Sequence, residues 1–338
     1  MCRKSDIVKI IDKIKEQAKN LNKTIILPES DDIRTLKASE IVTKEGFAKV
    51  ILIGNVDNIN KLATSNNVNI SGVEIIDPVT FSDTEKLVSE FYELRKNKGM
   101  DLENANKIIR ENYLYFGNML VKLGYADGLV AGAVNSSANV LRAALQILKT
   151  APNSKIVSSF FLMEVPNCEY GDNGIFIYSD CGMVQNPTSE ELAHIANSSA
   201  QSFKKLVGND PIIAMLSHST FGSSKHPDVD KVTTAVDLAK NMYPELILDG
   251  ELQFDAAVVP KVAKQKAPNS SVAGKANVLV FPDLDSGNIA YKITERLAKA
   301  NAYGPITQGI AKPVNDLSRG CNEEDIAGVV AITCVQCD

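Results

Sequence analysis

The chain has 338 residues, 44% of them hydrophobic and 23% charged, an ordinary globular composition with room for about two domains. That excludes a disordered, collagen-like or coiled-rod chain, and a chain this long buries roughly three quarters of its unfolded surface without disulfide or metal staples. With 36 basic and 41 acidic residues, a formal charge of −5 and no block of Lys or Arg, it has nothing to track a nucleic-acid backbone or an anionic membrane.

Ile7, Val8, Ile11 and Ile14 stand at helical spacing between charges, so the N-terminus is expected to be that of a mature cytoplasmic protein and not a signal peptide. No run approaches the ~18 apolar residues of a membrane span. Cys2, Cys168, Cys181, Cys321, Cys334 and Cys337 are expected as reduced thiols. Apolar β-branched runs alternate with helical patterns, which predicts the α/β class with mostly parallel sheets.

Early strands are expected at residues 24–27, 49–53 and 74–76, with Ser82 and Glu85 as a capping box for the next helix. A long helix is expected over 102–123, a small-residue strand over 128–134, and a helix over 138–148 capped from Asn135-Ser136-Ser137. Residues 150–154, TAPNS, read as a domain junction. Beyond it strands are expected at 155–165, 174–180, 211–217, 246–248 and 277–281, with Thr188 and Glu191 as a second capping box. A helix to about residue 300, a strand over 305–314, a polar turn, a short helix and the apolar run 328–335 complete the pattern. Periodicity does not say whether this tail rejoins the first domain.

The nucleotide fingerprints GxxxxGK[ST] and GxGxxG are absent, and the three histidines, His194, His218 and His226, form no metal-binding helical pair. Cys334 and Cys337 form a CxxC with no helix after it, and read as packed or frayed thiols. Ser136 and Ser137 at a strand–turn–helix junction offer hydroxyls, free N–H groups and a positive dipole end to an oxyanion. Arg142, one turn further on, is eligible either to join that site or to form a surface ion pair.

A second cluster, Lys312 to Ile326, crowds Ser318, Arg319 and Cys321 into a turn before a helix whose start holds Glu323, Glu324 and Asp325. Cation, donor and carboxylate there suit acyl or phosphoryl transfer, although each of the three acids is equally eligible as a helix-start charge. A third, hydroxyl-rich loop carries Ser219 and Thr220, which could line the same anion pocket; His218 within it reads as a satisfied loop histidine. Asp249, Glu251 and Asp255 are expected beyond a strand end, where a divalent metal could sit, with a capped helix start and loop hydrogen bonds the favoured reading.

The segments ADGLVAGAVNSSANVLRA, DGELQFDAAVVP, VLVFPDLDSGNIAYK and GPITQGIAKPVNDLSRGC, in this order and spacing, resemble the phosphate acetyl/butyryltransferase family. The likeness is to its short, single-module phosphate acetyltransferase type and covers essentially the whole chain. It implies reversible conversion of acetyl-CoA and phosphate into acetyl phosphate and CoA, in acetate metabolism, by direct attack of the CoA thiolate in a ternary complex. It implies two three-layer α/β domains of the isocitrate-dehydrogenase kind, residues 1–151 with 305–338 and residues 152–304, with the active site in the cleft between them. It also implies a cytoplasmic homodimer with no metal and no permanently bound cofactor, CoA being a substrate.

Residue by residue, the resemblance makes Asp325 the base, Ser318 the positioning serine and Arg319 the phosphate-binding arginine, with Arg142 and Arg95 as substrate-binding arginines. Residues 180–187, His218 and Phe221 depart from the family's commonest wording, which bears on the acyl pocket and not on the reaction class. The alternatives are phosphate butyryl transfer, acetyl-cysteine chemistry at Cys321 or Cys168, a hydroxyacid dehydrogenase on the related fold, and a non-catalytic CoA or acyl-phosphate-binding protein.

Overall fold

Runs such as TIIL and KVILI are β-branched or leucine at nearly every position, the pattern of parallel strands covered on both faces. The computed structural model describes residues 9–152 and 154–337, so Cys2, Ile7 and Val8 lie outside the described residues. The chain divides into two units, residues 11–152 with 310–337, and residues 9–10 with 154–309. The divisions fall at 152/153 and 309/310, where 151/152 and 304/305 were expected.

The chain opens with α1 (Ile10–Leu21), β1 (Thr24–Leu27), α2 (Ile33–Glu45), β2 (Lys49–Ile53), α3 (Val56–Ser65) and β3 (Glu74–Ile76). There follow α4 (Thr84–Arg95), α5 (Leu102–Glu111), α6 (Tyr113–Leu123), β4 (Gly128–Ala131) and α7 (Ser137–Ile147). The expected Ser82–Glu85 capping box does not form: α4 starts after Asp83, whose carboxylate takes the Tyr125 hydroxyl, and Glu85 pairs with Arg110. The single helix expected over 102–123 is broken at Asn112, which ends α5 and caps α6 by accepting from the Leu114 and Tyr115 N–H groups.

The other unit holds β5 (Ser158–Glu164), β6 (Ile175–Ser179), α8 (Ser189–Val207), β7 (Ile212–Leu216), α9 (Pro227–Met242) and β8 (Ile247–Leu252). It continues through α10 (Phe254–Val258), α11 (Pro260–Lys266), β9 (Val278–Val280), α12 (Leu284–Leu297) and β10 (Asn301–Gln308). Thr188 and Glu191 form the expected capping box on α8. The strand expected over 246–248 runs on to Leu252, so Asp249 and Glu251 lie within β8 and not beyond it.

The last stretch returns to residues 11–152 with β11 (Val314–Asp316) and α13 (Glu323–Gln336). The single strand expected over 305–314 is two strands in different sheets. Gly309 makes the break: its φ is +90°, and a Cβ there would stand 2.5 Å from the Ser154 hydroxyl. The expected short helix and apolar run are one helix, α13, buried on all sides from Ile326 to Val335, which is why its sequence shows no amphipathic period.

Residues 11–152 with 310–337 form a wholly parallel five-stranded sheet, β11-β4-β1-β2-β3. α2 and α13 pack together on one face, and α6 and α7 contact β4 and β11. Phe91, Phe116, Leu120, Val140 and Ile147 anchor the core under the latter helices. Residues 154–309 form a six-stranded sheet, β10-β5-β6-β9-β7-β8, parallel from β6 to β8 and antiparallel at β5. Phe161, Met163, Leu216, Leu252 and Leu279 build its core. Among the described residues no helix is long and apolar enough to cross a membrane.

Candidate active site

In the five-stranded sheet, β1 has β2 on one side and β4 on the other, so the chain leaves neighbouring strand ends in opposite directions. Open parallel sheets bind ligands outside the carboxyl ends of strands at such a switch point. Here those ends are Pro28-Glu29-Ser30 after β1, Gly132 to Asn135 after β4, and Leu317 to Cys321 after β11.

β4 ends three residues earlier than its apolar run, because residues 132–135 turn their N–H groups onto the buried Glu29 carboxylate. Glu29 Oε2 accepts from Gly132 N (3.0 Å) and Ala133 N (2.8 Å). Oε1 accepts from Val134 N (3.1 Å), Asn135 N (2.8 Å) and Asn135 Nδ2 (2.9 Å). Successive amides around an ionised carboxylate make charge-assisted bonds, so this turn is held far more tightly than a solvated loop.

Arg34, in the first turn of α2, locks the same edge. It pairs with Asp32 at 2.7 Å, and its Nη2 donates to Ala133 O at 2.9 Å. Its Nη1 donates at 2.9 Å to both Arg319 O and Cys321 O, so one guanidinium joins the turn after β4 to the loop after β11. The Arg34 hydrogen bond lowers the Asp32 carboxyl, and Asp32 raises the guanidinium in return.

Gly132 has φ +118°, and a Cβ there would lie 2.5 Å from the Leu317 N, so only glycine lets these two segments touch. Beside it Asp316, at the end of β11, is 3% exposed. Burial pushes its carboxyl up to about 6; bonds from the Ser137 hydroxyl and the Leu317 N–H oppose that shift, and the Glu29 charge adds to it. Its Oδ1 is buried without a partner.

On this framework the expected residues of the unit fall at one sheet edge. Ser136 caps α7 by accepting from Asn139 N (3.4 Å), and Ser136 and Ser137 are both exposed. Ser318 and Arg319 are exposed on the loop after β11, where Gly320 N donates to Ser318 Oγ at 3.3 Å. Asp325 is exposed in the first turn of α13 and forms a capping box with Asn322, accepting Asn322 N at Oδ2 (3.0 Å) while Asn322 Oδ1 accepts Asp325 N (2.9 Å). The helix-start role is therefore real, and it leaves the rest of the carboxylate open to solvent. Glu323 instead faces Lys37 at 3.5 Å.

Arg142 donates to Asn139 Oδ1 (3.1 Å), and the buried Arg95 Nε has no partner. Both guanidiniums act on one phenol, Tyr115: burial raises its pKa, and Arg142 and Arg95 oppose the rise. Arg95 and Arg142 therefore bring their charge to one corner beside α7. Burial pushes the Cys321 thiol up to about 11 against the pull of Arg34, the opposite of what an activated nucleophile needs.

Within residues 154–309 the remaining candidates are engaged in their own loop. Ser219 Oγ and Gly222 N both donate to Glu251 Oε1 at 2.8 Å, and Thr220 Oγ1 donates to Gln253 Oε1 at 3.3 Å. His218 Nε2 lies 3.3 Å from Ser224 Oγ. Asp249 takes Lys240 and Ser270, and Asp255 takes Lys266. Among the described residues no group of three or more His, Cys, Asp or Glu could hold a metal ion. Cys168, Cys181, Cys321 and Cys334 are free thiols, and burial raises Cys334.

Sequence reasoning missed Glu29, Arg34 and Asp316. The available signal was position: Glu29 and Asp316 are carboxylates at the ends of buried strands, and Arg34 follows a helix-capping Asp.

The family described as phosphate acetyl/butaryl transferase matches residues 9–334. The phosphate acetyltransferase of Acetivibrio thermocellus is 59% identical over 326 residues, 96% of this chain and 97% of that one. The phosphate acetyltransferase of Thermoanaerobacterium thermosaccharolyticum is 57% identical over 327 residues, 97% and 99% of the two chains. The crystal structure of a phosphotransacetylase from Streptococcus pyogenes superposes with a TM-score of 0.91 at 44% identity, over 98% of this chain and 99% of that one.

The raised Asp316 carboxyl makes stability depend on pH in a defined sense. The folded chain keeps a proton that the unfolded chain releases between about pH 4 and 6, so this group's contribution falls as pH rises through that window, by up to about 3 kcal/mol. Asp316→Asn removes the effect: its Tm relative to the parent rises between pH 4.5 and 7 and is flat above. A pH-independent difference in calorimetry would contradict the raised carboxyl.

Proposed function

Because the chain belongs to the phosphate acetyl/butaryl transferase family, we propose that it is a phosphate acetyltransferase, interconverting acetyl-CoA plus phosphate with acetyl phosphate plus CoA in acetate metabolism. The observation that carries the assignment of roles is the sharing of one sheet edge by the α7 N-terminus, the exposed Ser318-Arg319 loop and the open carboxylate of Asp325.

A free thiol has a pKa near 8.5, so only a few per cent of CoA is thiolate at neutral pH and a positioned base is needed. Asp325 takes the thiol proton, and the sulfur attacks the acetyl carbonyl of acetyl phosphate. Ser318 and neighbouring N–H groups hold the tetrahedral oxyanion, which collapses as the bond to the phosphate oxygen breaks. Arg319 meets the charge growing on the phosphate, which leaves and recovers the proton. Ser136 and Ser137, at the positive end of α7, and Arg142 and Arg95 at the Tyr115 corner supply sites for the phosphates of the substrates. Ser219 and Thr220 contribute by shaping their loop, their hydroxyls being occupied by Glu251 and Gln253. The chemistry as written uses no metal and no resident cofactor, and the buried Cys321 thiol argues for direct transfer over an acetyl-cysteine.

The reading extends to a cytoplasmic homodimer. Free thiols support the reducing compartment. The dimer is supported by α12, where Ile289, Ile293 and Leu297, spaced four apart on one face, are 57%, 51% and 80% exposed.

Thioester absorbance with acetyl phosphate, CoA and a chelator tests the reaction. Rapid turnover is expected in the parent, and Asp325→Asn is expected to lose about a hundred- to ten-thousand-fold in kcat. Cys321→Ala and Cys168→Ala are expected to keep it. Turnover with butyryl phosphate alone would move the assignment to the longer acyl group, and an Asp325→Asn enzyme with the parent's kcat would remove the base. In sedimentation the parent is expected as a dimer, and Ile293→Glu with Leu297→Glu as a folded monomer. A monomeric parent at micromolar concentration would overturn the dimer.

A further inference from the structure

The N–H groups of Gly132, Ala133, Val134 and Asn135 turn inward onto Glu29, and the residues that follow at once, Ser136, Ser137 and Ala138, are exposed and open α7. A helix leaves its first N–H groups without intrahelical partners, so one continuous run of amides has an inner half filled by a carboxylate and an outer half facing solvent. An acid is a costly choice beside a site for phosphates, since it sets an anion where an anion has to bind. The geometry nevertheless demands one. Oε2 takes two N–H groups and Oε1 takes two more with the Asn135 amide, so only a side chain with two acceptor oxygens and no donor fits, whereas a glutamine would turn its own N–H groups against half of them.

We propose that Glu29 is a positioning residue for the reaction: by filling the inner half of this run of N–H groups it aims the outer half, at the start of α7, at a phosphate of the substrates. The inference rests on the phosphate acetyltransferase reading.

Three constraints carry the effect of Glu29 outward. The peptide between Ala133 and Val134 is held at both ends, its carbonyl by Arg34 Nη2 at 2.9 Å and its N–H by Glu29 Oε1 at 3.1 Å, so the plane of the turn is fixed. Asn135 is tied twice, through its backbone N–H and its Nδ2, and is the last residue that Glu29 holds. The next fixed point is Val140, fully buried in the core, so Ser136 and Ser137 stand in a short span between two anchors. A change in the direction of the Asn135 peptide therefore passes straight to the N–H groups and hydroxyls at the start of α7. With Glu29 removed, Arg34 and Val140 keep the turn and the helix in place while that start shifts, and a shift of about 1 Å is enough to cost about a hundred-fold in rate.

The test measures kcat, KM for acetyl phosphate and for CoA, and Tm for Glu29→Gln, Glu29→Ala and Glu29→Asp, with and without added formate. Glu29→Gln, of the same shape but with one acceptor oxygen, is expected to lose about 30–100-fold in kcat/KM for at least one of the two substrates. Glu29→Ala is expected to lose as much, and formate, an anion with the carboxylate's own two oxygens, to return at least about ten-fold of it, where neutral formamide returns none. In the parent, whose turn is already filled, formate brings no gain. Glu29→Asp, which keeps both oxygens on a shorter arm, falls between the parent and Glu29→Gln. A residue that only builds the fold would lower Tm and leave the folded variants with the parent's kcat and KM values. The proposal is overturned if a folded Glu29→Gln or Glu29→Ala keeps those values, or if formate speeds Glu29→Ala no more than formamide does. Should neither variant fold, Glu29→Asp decides it, and the parent's kcat and KM values there overturn the proposal. A parent enzyme silent with acetyl phosphate and CoA defeats the activity reading first, and this proposal with it.

Discussion

Everything at the candidate site hangs on a carboxylate that the chain supplies to itself. The turn after β4 aims four consecutive N–H groups inward, an arrangement that without an anion leaves several buried donors unpaired, each at a cost of about 1–3 kcal/mol. Glu29, at the end of the adjacent strand, meets all four with two oxygens. The adjacency exists because β1 and β4 pair in register, Ile25 with Gly128 and Ile26 with Leu129, so both strands end at the same level. Sheet register, set by the core, thereby fixes where α7 begins and which of its N–H groups and hydroxyls remain free.

The sheet, most strands and several caps were legible because they rest on local chemistry. β1, β2 and β3 coincide with their apolar runs, Thr188 and Glu191 form their box, and Ser136 caps α7. What was not legible depends on partners distant in the chain. Residues 132–134 read as strand because they are small and apolar, and only a carboxylate 103 positions earlier bends them away. The capping box expected of Ser82 and Glu85 gives way to a start after Asp83, with Asp83 holding Tyr125 and Glu85 holding Arg110. α13 hid its helix because burial on every side erases amphipathic spacing. Among the site residues, the exposed ones, Ser318 and Arg319 on their loop and Asp325 at the start of α13, stood out by clustering. Glu29 and Arg34, which hold the turns, and the buried Asp316 beside Gly132 are single residues scattered over nearly 290 positions, with no motif to join them.

Asp325 shows why two readings of one residue need not compete. As the third residue of α13 it accepts the Asn322 N–H, which fixes where its carboxyl stands; the same position, at a positive helix end and open to solvent, leaves lone pairs for a proton. A carboxylate built into a cap comes ready oriented for the role of base proposed for it, and the helix behind it is buried from Ile326 onward and cannot drift. Cys321 sits in the same loop with the opposite treatment, its sulfur enclosed and its thiol held protonated.

The other unit uses the same device. Asp180, after β6, accepts from Ser159 N and Oγ and from the N–H groups of Gly182, Met183 and Val184. Glu251, in β8, gathers Ser219, Gly222 and Thr233. In each case a buried carboxylate ties irregular backbone to a strand at points where helix and sheet ladders cannot satisfy it. Irregular loops carry the exposed hydroxyls and guanidinium of the candidate site, yet their geometry must be as fixed as the sheet's for transfer between bound substrates. An internal anion is a compact way to meet both demands: it leaves the outer face of the loop free and makes its inner face part of the core.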